Sequence, residues 1–283
     1  MTLKPFIIMQ LLLLLSFAAC NQVPEKQYEF PQGYNLNEPE KFEMEDPLLE
    51  ISGISFANND SLFAIQDEQG RMFYGVPGNP MEQQVKFSKG GDFEDISIME
   101  QMVFVLKSNG SVYSFPLADR SSEELTSTRE WKKMIPKGEY ESLFANSENQ
   151  LVYILCKTCK ADKKEPLVKG YALKWQHHNL QLDHEFSLKI APIEAMLSDK
   201  KETIRPSAIT FDPHTKQWFI IASINKLLII ADVDWNATQA YNLDPKIYRQ
   251  PEGIAFDSKR NLYISNEGDV DKPGNVLKIS FRP

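Results

Sequence analysis

Residues 251–267 read PEGIAFDSKRNLYISNE. A short strand of apolar and small residues, PEGIAF, runs into the polar turn DSKR. A second, more strongly apolar strand returns from it and ends in polar residues. Strand-like runs bounded by Asp, Ser and Asn make this stretch a hairpin.

The pattern recurs four times upstream. ISGISF (51–56), FEDISI (93–98), YESLFA (140–145) and PSAITF (206–211) match PEGIAF (251–256). Their partner strands are SLFAIQDE (61–68), MVFVLKSN (102–109), LVYILCK (151–157) and QWFIIAS (217–223), matching NLYISNE (261–267). With Gly53, Asp95, Ser142, Ala208 and Gly253 taken as equivalent, the intervals are 42, 47, 66 and 45 residues. A period of roughly 45 residues is that of a four-stranded propeller blade. Two weaker strands follow each pair, as in RMFYGV (71–76) and QQVKFS (83–88), and turn signals such as Gln69-Gly70, Pro77-Gly78 and Asn109-Gly110 separate them. The reading is an all-β chain forming a β-propeller of five blades; a β-sandwich would have to match five strand pairs by accident. A sixth blade stays open, because the long third interval also holds APIEAMLSDKK (191–201), a helical turn or two. The last repeat has three strands before the chain stops, so a strand near Glu40–Asp46 is expected to complete it and close the ring.

Composition narrows the function classes. Hydrophobic residues make up 42% and charged residues 25%, so the chain can bury a core. A net charge of −8 repels phosphate backbones and argues against nucleic-acid binding. At the N-terminus, Lys4 precedes an apolar run from Phe6 to Leu15, and Ser16, Ala18 and Ala19 lead to Cys20. A run this short, ending in small residues, is an export signal rather than a membrane-spanning helix. Phe17-Ala18-Ala19-Cys20 resembles a bacterial lipobox, with Phe17 departing from the usual aliphatic residue. Residues 1–19 are therefore expected to be a lipoprotein signal peptide, with lipid attached to Cys20. Residues 20–37 would be a flexible linker, and 38–283 a single propeller domain held at the cell envelope as a monomer.

RPSAITFDPHTKQWFIIAS (205–223), KLLIIAD (226–232), QPEGIAFD (250–257) and NLYISNEG (261–268) resemble the SdiA-regulated (YjiK-like) family of bacterial propeller proteins. EISGISF (50–56) and FEDISI (93–98) fit the same family, and the likeness extends over about residues 36–281. It implies an envelope-attached propeller and says little about activity.

Chemistry is expected where the innermost strands begin. Aligned positions there read Ser52, Glu94, Glu141, Ser207 and Glu252, with Glu50, Asp92, Glu139, Arg205 and Gln250 two residues earlier. The second strands end in Asp67, Ser108, Lys157, Ser223 and Glu267. Glutamates facing one axis repel unless a cation or a proton sits among them. Calcium, which takes hard oxygen ligands in flexible geometry, is one candidate; Arg205 could neutralise the ring instead; or the carboxylates simply face water. By analogy with calcium-using lactonase, phytase and esterase-like propellers, a metal would polarise a carbonyl or phosphoryl oxygen while a carboxylate activates water.

Cys156 and Cys159 read as a local disulfide in an exported chain, with free thiols, metal binding and redox chemistry as alternatives. No Gly-x-Ser-x-Gly or His-Glu-x-x-His motif is present. The favoured function is a module that binds an envelope protein or a small molecule; the alternative is a calcium-dependent hydrolase.

Overall fold

The computed structural model describes residues 28–57, 60–159, 166–197, 203–269 and 271–283. The expected signal peptide, Cys20 and the first part of the linker lie outside them. Strand β1 (Glu40–Glu43) opens the fold. Blade 1 follows as β2 (Ile51–Phe56), β3 (Leu62–Gln66), β4 (Arg71–Gly75) and β5 (Gln83–Lys86). Blade 2 is β6 (Phe93–Met99), β7 (Met102–Lys107), β8 (Val112–Pro116) and β9 (Arg129–Trp131). Blade 3 is β10 (Glu139–Asn146), β11 (Leu151–Thr158), β12 (Leu167–Gln176) and β13 (Asn179–Lys189). After helix α1 (Ile190–Met196), blade 4 is β14 (Ala208–Asp212), β15 (Gln217–Ala222), β16 (Leu227–Ala231) and β17 (Ala237–Asn242). Blade 5 is β18 (Pro251–Phe256), β19 (Leu262–Asn266) and β20 (Asn275–Ile279), completed by β1.

The ring has five blades, each a four-stranded antiparallel sheet. The long third interval holds no sixth blade: β12 and β13 are simply 10 and 11 residues long, and α1 takes up more. As expected, the N-terminal strand closes the circle. Glu40 to Glu43 pair with Lys278 to Asn275, and Tyr34 bridges to Phe281. Because the two ends of the chain share one sheet, blade 5 cannot peel away without breaking that sheet.

The inner strands show how the repeat encodes the ring. In each, the residue after the reference position is aliphatic: Ile54, Ile96, Leu143, Ile209 and Ile254, all buried. These residues pack onto the preceding blade, and five separate apolar clusters fill the five gaps between blades. Side chains one residue away point to the following blade, as the period of two demands, and there the residues are mostly small or polar. They bind the neighbouring inner strand directly. Ser55 Oγ accepts from Ile98 N at 3.2 Å, Ser97 Oγ from Ala145 N at 2.9 Å, and Asp95 Oδ2 from Leu143 N at 2.7 Å. Ser207 Oγ donates to Pro251 O at 2.8 Å, and in blade 5 the bond comes from the second strand, where Ser265 Oγ donates to Ser52 O at 2.6 Å. Apolar packing thus holds one side of each inner strand and hydrogen bonds hold the other.

Each turn from inner to second strand contains a non-glycine residue in the left-handed region: Asp60, Glu100, Gln150, Lys216 and Arg260, with φ between 54° and 65°. The β12–β13 hairpin turns on His177 and His178, both also left-handed. Two of the four histidines are therefore turn residues at the blade edge, far from the ring axis.

Candidate functional site

The inner strands do not begin as regular strands. In four of the five blades the pairing slips by one residue at the start. Phe93 pairs with Lys107 and Asp95 with Leu106; Tyr140 with Cys156 and Ser142 with Leu155; Pro251 with Asn266 and Gly253 with Ser265. In blade 1, Ile51 pairs with Gln66 and Ile54 with Ala64. Such β-bulges set two residues against one and re-aim a side chain. The residues left over are Glu94, Glu141 and Glu252, with Ser52 and Gly53 in blade 1. The bulge thus lifts three glutamates out of the sheet at one mouth of the ring.

Burial and mutual repulsion dominate their chemistry. Burial, then the charges of Glu141, Asp92 and Glu252, push Glu94 up to about 9. Burial, then Glu141 and Glu267, push Glu252 up to about 8 against the pull of Lys157 and Ser223. Glu267 stands at about 7, raised by burial and by Asp67 and Glu50. Asp67 is also raised, by burial and Glu50. The three glutamates are near enough for each charge to act on the others, and near neutral pH Glu94 and Glu252 carry protons.

Glu141 is the exception. It is buried, and its carboxylate binds the Lys157 ammonium, which also lies 3.6 Å from Glu139. Burial raises Glu141 and Lys157 opposes it. Burial pulls Lys157 down, but the Glu141 hydrogen bond, with the charges of Glu141, Glu139 and Glu252, wins and holds the lysine above its usual value. Asp92 accepts from Ser108 Oγ, and Glu267 accepts from Gln250 Nε2.

The cation that pairs with these carboxylates is Lys157, at the end of β11, and not Arg205, while Lys226, held by Ser223 O and Arg249 O, also acts on Glu252. Arg205 precedes β14 and stands exposed, lining together with Lys157 a cleft of about 160 Å³ beside the cysteine pair. Nor does the donor set fit calcium: among the described residues no three His, Cys, Asp or Glu side chains come together in a way that could hold an ion. An ammonium already sits against Glu141, one of the carboxylates expected to ligate a metal, and near Glu139.

Cys156 and Cys159 form a disulfide with Cα atoms 6.0 Å apart. The bond encloses Lys157 in a four-residue ring at the β11 terminus, and Cys156 Sγ lies 3.4 Å from Glu139 O. Closing so short a loop contributes about 2 kcal/mol by the chain-entropy argument. A Cys156→Ser, Cys159→Ser chain is expected to melt about 4–8 °C lower, given about 2–4 °C per kcal/mol for a domain of this size. Scanning calorimetry checks this, and an unchanged transition would show that the bridge constrains nothing.

None of the four histidines lies at this mouth: His177, His178 and His184 belong to the outer hairpin of blade 3, and His214 to a turn at the opposite mouth. The arrangement supplies acids, one base partner and a fixed cation, with no activated nucleophile among the described residues.

The chain matches no protein-family model and no curated protein. Among solved structures it is similar to a luciferin-regenerating enzyme, with a TM-score of 0.51 and 11% identity over 86% of this chain and 95% of that one. It is also similar to a glutaminyl cyclase of Myxococcus xanthus, with a TM-score of 0.54 and 9% identity over 86% and 96%. The likeness is one of fold. At such identities the propeller is shared, and the glutamates, Lys157 and the disulfide must be interpreted from this chain alone.

Proposed function

We propose that the protein is an envelope-tethered binding propeller of the SdiA-regulated (YjiK-like) kind, whose ligand enters at the glutamate mouth and carries positive charge. The observation that carries this reading is the bulge in blades 2, 3 and 5, which aims Glu94, Glu141 and Glu252 at one place while Lys157 satisfies only one of them. A second cation there would ionise Glu94 and Glu252 and release their protons. The absence of a nucleophile–base pair at this mouth weighs against the hydrolase alternative, and the misfit of the donor set weighs against calcium as its cofactor.

The tether fits the same picture. Tyr34 OH donates to Arg260 O at 3.1 Å, and Arg260 lies in the β18–β19 turn, on the face opposite the glutamates. A lipid on Cys20 would reach the propeller through the residues that precede this contact. No helix among the described residues is long and apolar enough to cross one. Incorporation of labelled palmitate into the wild type, but not into a Cys20→Ala chain, tests the anchor.

The mouth makes a signed prediction. The folded chain keeps protons on Glu94 and Glu252 that the unfolded chain releases near 4.5. Their contribution is fully present below that value and is lost as pH rises toward about 8 and 9. Replacing both with glutamine should flatten this decline and raise the melting temperature at pH 9 by at least a few degrees. Spermidine is the probe for binding: calorimetry in two buffers of different ionisation enthalpy should show proton release and affinity rising from pH 7 to 9, both lost in the double variant. Uptake of calcium instead of spermidine would restore the metal reading, and uptake of neither would overturn the cationic ligand.

A further inference from the structure

The opposite mouth has a different chemistry. There, close to the ends of the inner strands, stand Phe56, Ile98, Phe144, Phe211 and Phe256, one from each blade, each only partly buried. Together they surround a cavity of about 320 Å³ on the ring axis. This is at the small end of the range for ligand sites, about 300–1,000 Å³. The four rings pack with one face against the clusters between blades, Phe56 on Tyr263, Phe144 and Phe211 on Trp218 and Phe256 on Phe219, and line the cavity with what stays exposed.

The polar groups of this funnel restrict its ligand. Two rim residues are acidic. Asp257 is fully engaged: it accepts from Lys259 N at 2.9 Å, Asn261 N at 2.8 Å, Asn261 Nδ2 at 2.7 Å and Tyr263 OH at 3.3 Å. Glu148 is exposed to water. No basic side chain lines the cavity. An anionic ligand would therefore gain no counter-charge inside it, and a cation would meet Glu148 only at the rim, in water. Ser55 and Ser97, both buried, accept backbone N–H bonds from the next blade and each keep a hydroxyl proton to give. The funnel thus presents aromatic walls, donors near its floor, one exposed carboxylate at its rim and no basic group.

We propose that this funnel is a second binding site, for a compact, uncharged, flat molecule bearing one hydrogen-bond acceptor, such as an aromatic ketone or ether. The rings of Phe56, Phe211 and Phe256 take its apolar body, and a serine hydroxyl takes its acceptor. The site is independent of the glutamate mouth, which lies at the other end of the inner strands.

Prodan, an uncharged naphthalene ketone whose emission moves to the blue on leaving water, serves as the probe, with a chain beginning at Asn21, which retains every described residue. The expected result is saturable, one-to-one binding. Methyl resonances of Ile54, Ile96 and Ile254 should move in the wild type, while methyls of the outer strands stay still. Ile98→Trp, which fills the funnel, and Phe256→Ser, which strips one wall, should each weaken binding at least tenfold. The Glu94→Gln, Glu252→Gln chain should bind as the wild type does, which separates this site from the other mouth. Absence of a saturable blue shift, or shifts spread over the outer strands, would overturn the proposal; so would unchanged affinity in either variant with a native melting transition. The wild-type methyl shifts decide the matter even where a variant does not fold.

Discussion

A Gly53→Ala chain is expected to melt about 10 °C below the wild type. A Cβ at residue 53 would stand 2.5 Å from Asp95 Cα and 2.8 Å from Ile96 N, both main-chain atoms of the next inner strand, and against Asp95 Oδ1 as well. Main chain cannot rotate aside as a side-chain tip can, so blades 1 and 2 must separate at the axis. Overpacking costs typically 1–3 kcal/mol, and a backbone clash belongs at the upper end, about 3 kcal/mol or about 10 °C here. The damage spreads, because Asp95 also accepts from Ile96 N at 2.8 Å and Leu143 N at 2.7 Å. Moving Asp95 outward loosens the join of blade 2 to blade 3 too. Ala208, the equivalent residue of blade 4, already carries a Cβ, so Ala208→Gly should cost little by comparison. Thermal melts of the two variants test the reading, and equal shifts would mean that the inner strands are not in contact at Gly53.

The blades were legible in the sequence because one repeat position is aliphatic every time, as in Ile54 and Ile254, and the burial of that position builds the ring. The closing strand was legible because three strands after residue 251 leave an unpaired edge. The bulges were not. Glu94, Glu141 and Glu252 looked like ordinary strand starts, and only pairing with the second strand shows two residues opposite one. Lys157 was visible at the end of the second strand of blade 3, yet neutralisation was looked for in Arg205, because Arg205 aligns with Glu50 and Glu139 by counting alone. The chain enters blade 4 in extended form and the first pair is Ala208 with Ile221, so Arg205 falls outside the sheet, on the rim. The inner turns were equally hidden. Glu100, Gln150, Lys216 and Arg260 adopt left-handed backbone with no glycine or asparagine to announce it. A further signal lies three residues after the reference position: Phe56, Ile98, Phe211 and Phe256 share it, and an apolar side chain kept near a strand end in four blades needs a reason.

Lys157→Met should produce a loss that depends strongly on pH. The methionine keeps the bulk of the lysine stem and removes the ammonium. Glu141, only 7% exposed, is then left without its ion-pair partner, beside Glu94 and Glu252. Removing one member of a buried pair costs about 3–5 kcal/mol while the other stays charged. The remaining carboxyl escapes that cost by taking a proton, and its pKa, already raised by burial, climbs further once Lys157 is gone. The folded variant then holds a proton that the unfolded chain gives up near 4.5, so its stability falls as pH rises above that value. In the wild type the raised lysine works in the other range: its contribution is present below the ordinary lysine value of 10.5 and is lost above it. The difference between the two chains should therefore be small at pH 5 and about 3 kcal/mol, or about 6–12 °C, at pH 9. Adding Glu141→Gln to the lysine variant should recover most of the loss at pH 9, since no charge is then left to bury. Melting curves of the three chains at the two pH values give the answer. A pH-independent loss would mean that Lys157 acts through its stem and not through its charge. No loss at pH 9 would mean that Glu141 finds water or another donor, and the mouth would then lack the internal cation on which its protonation pattern depends.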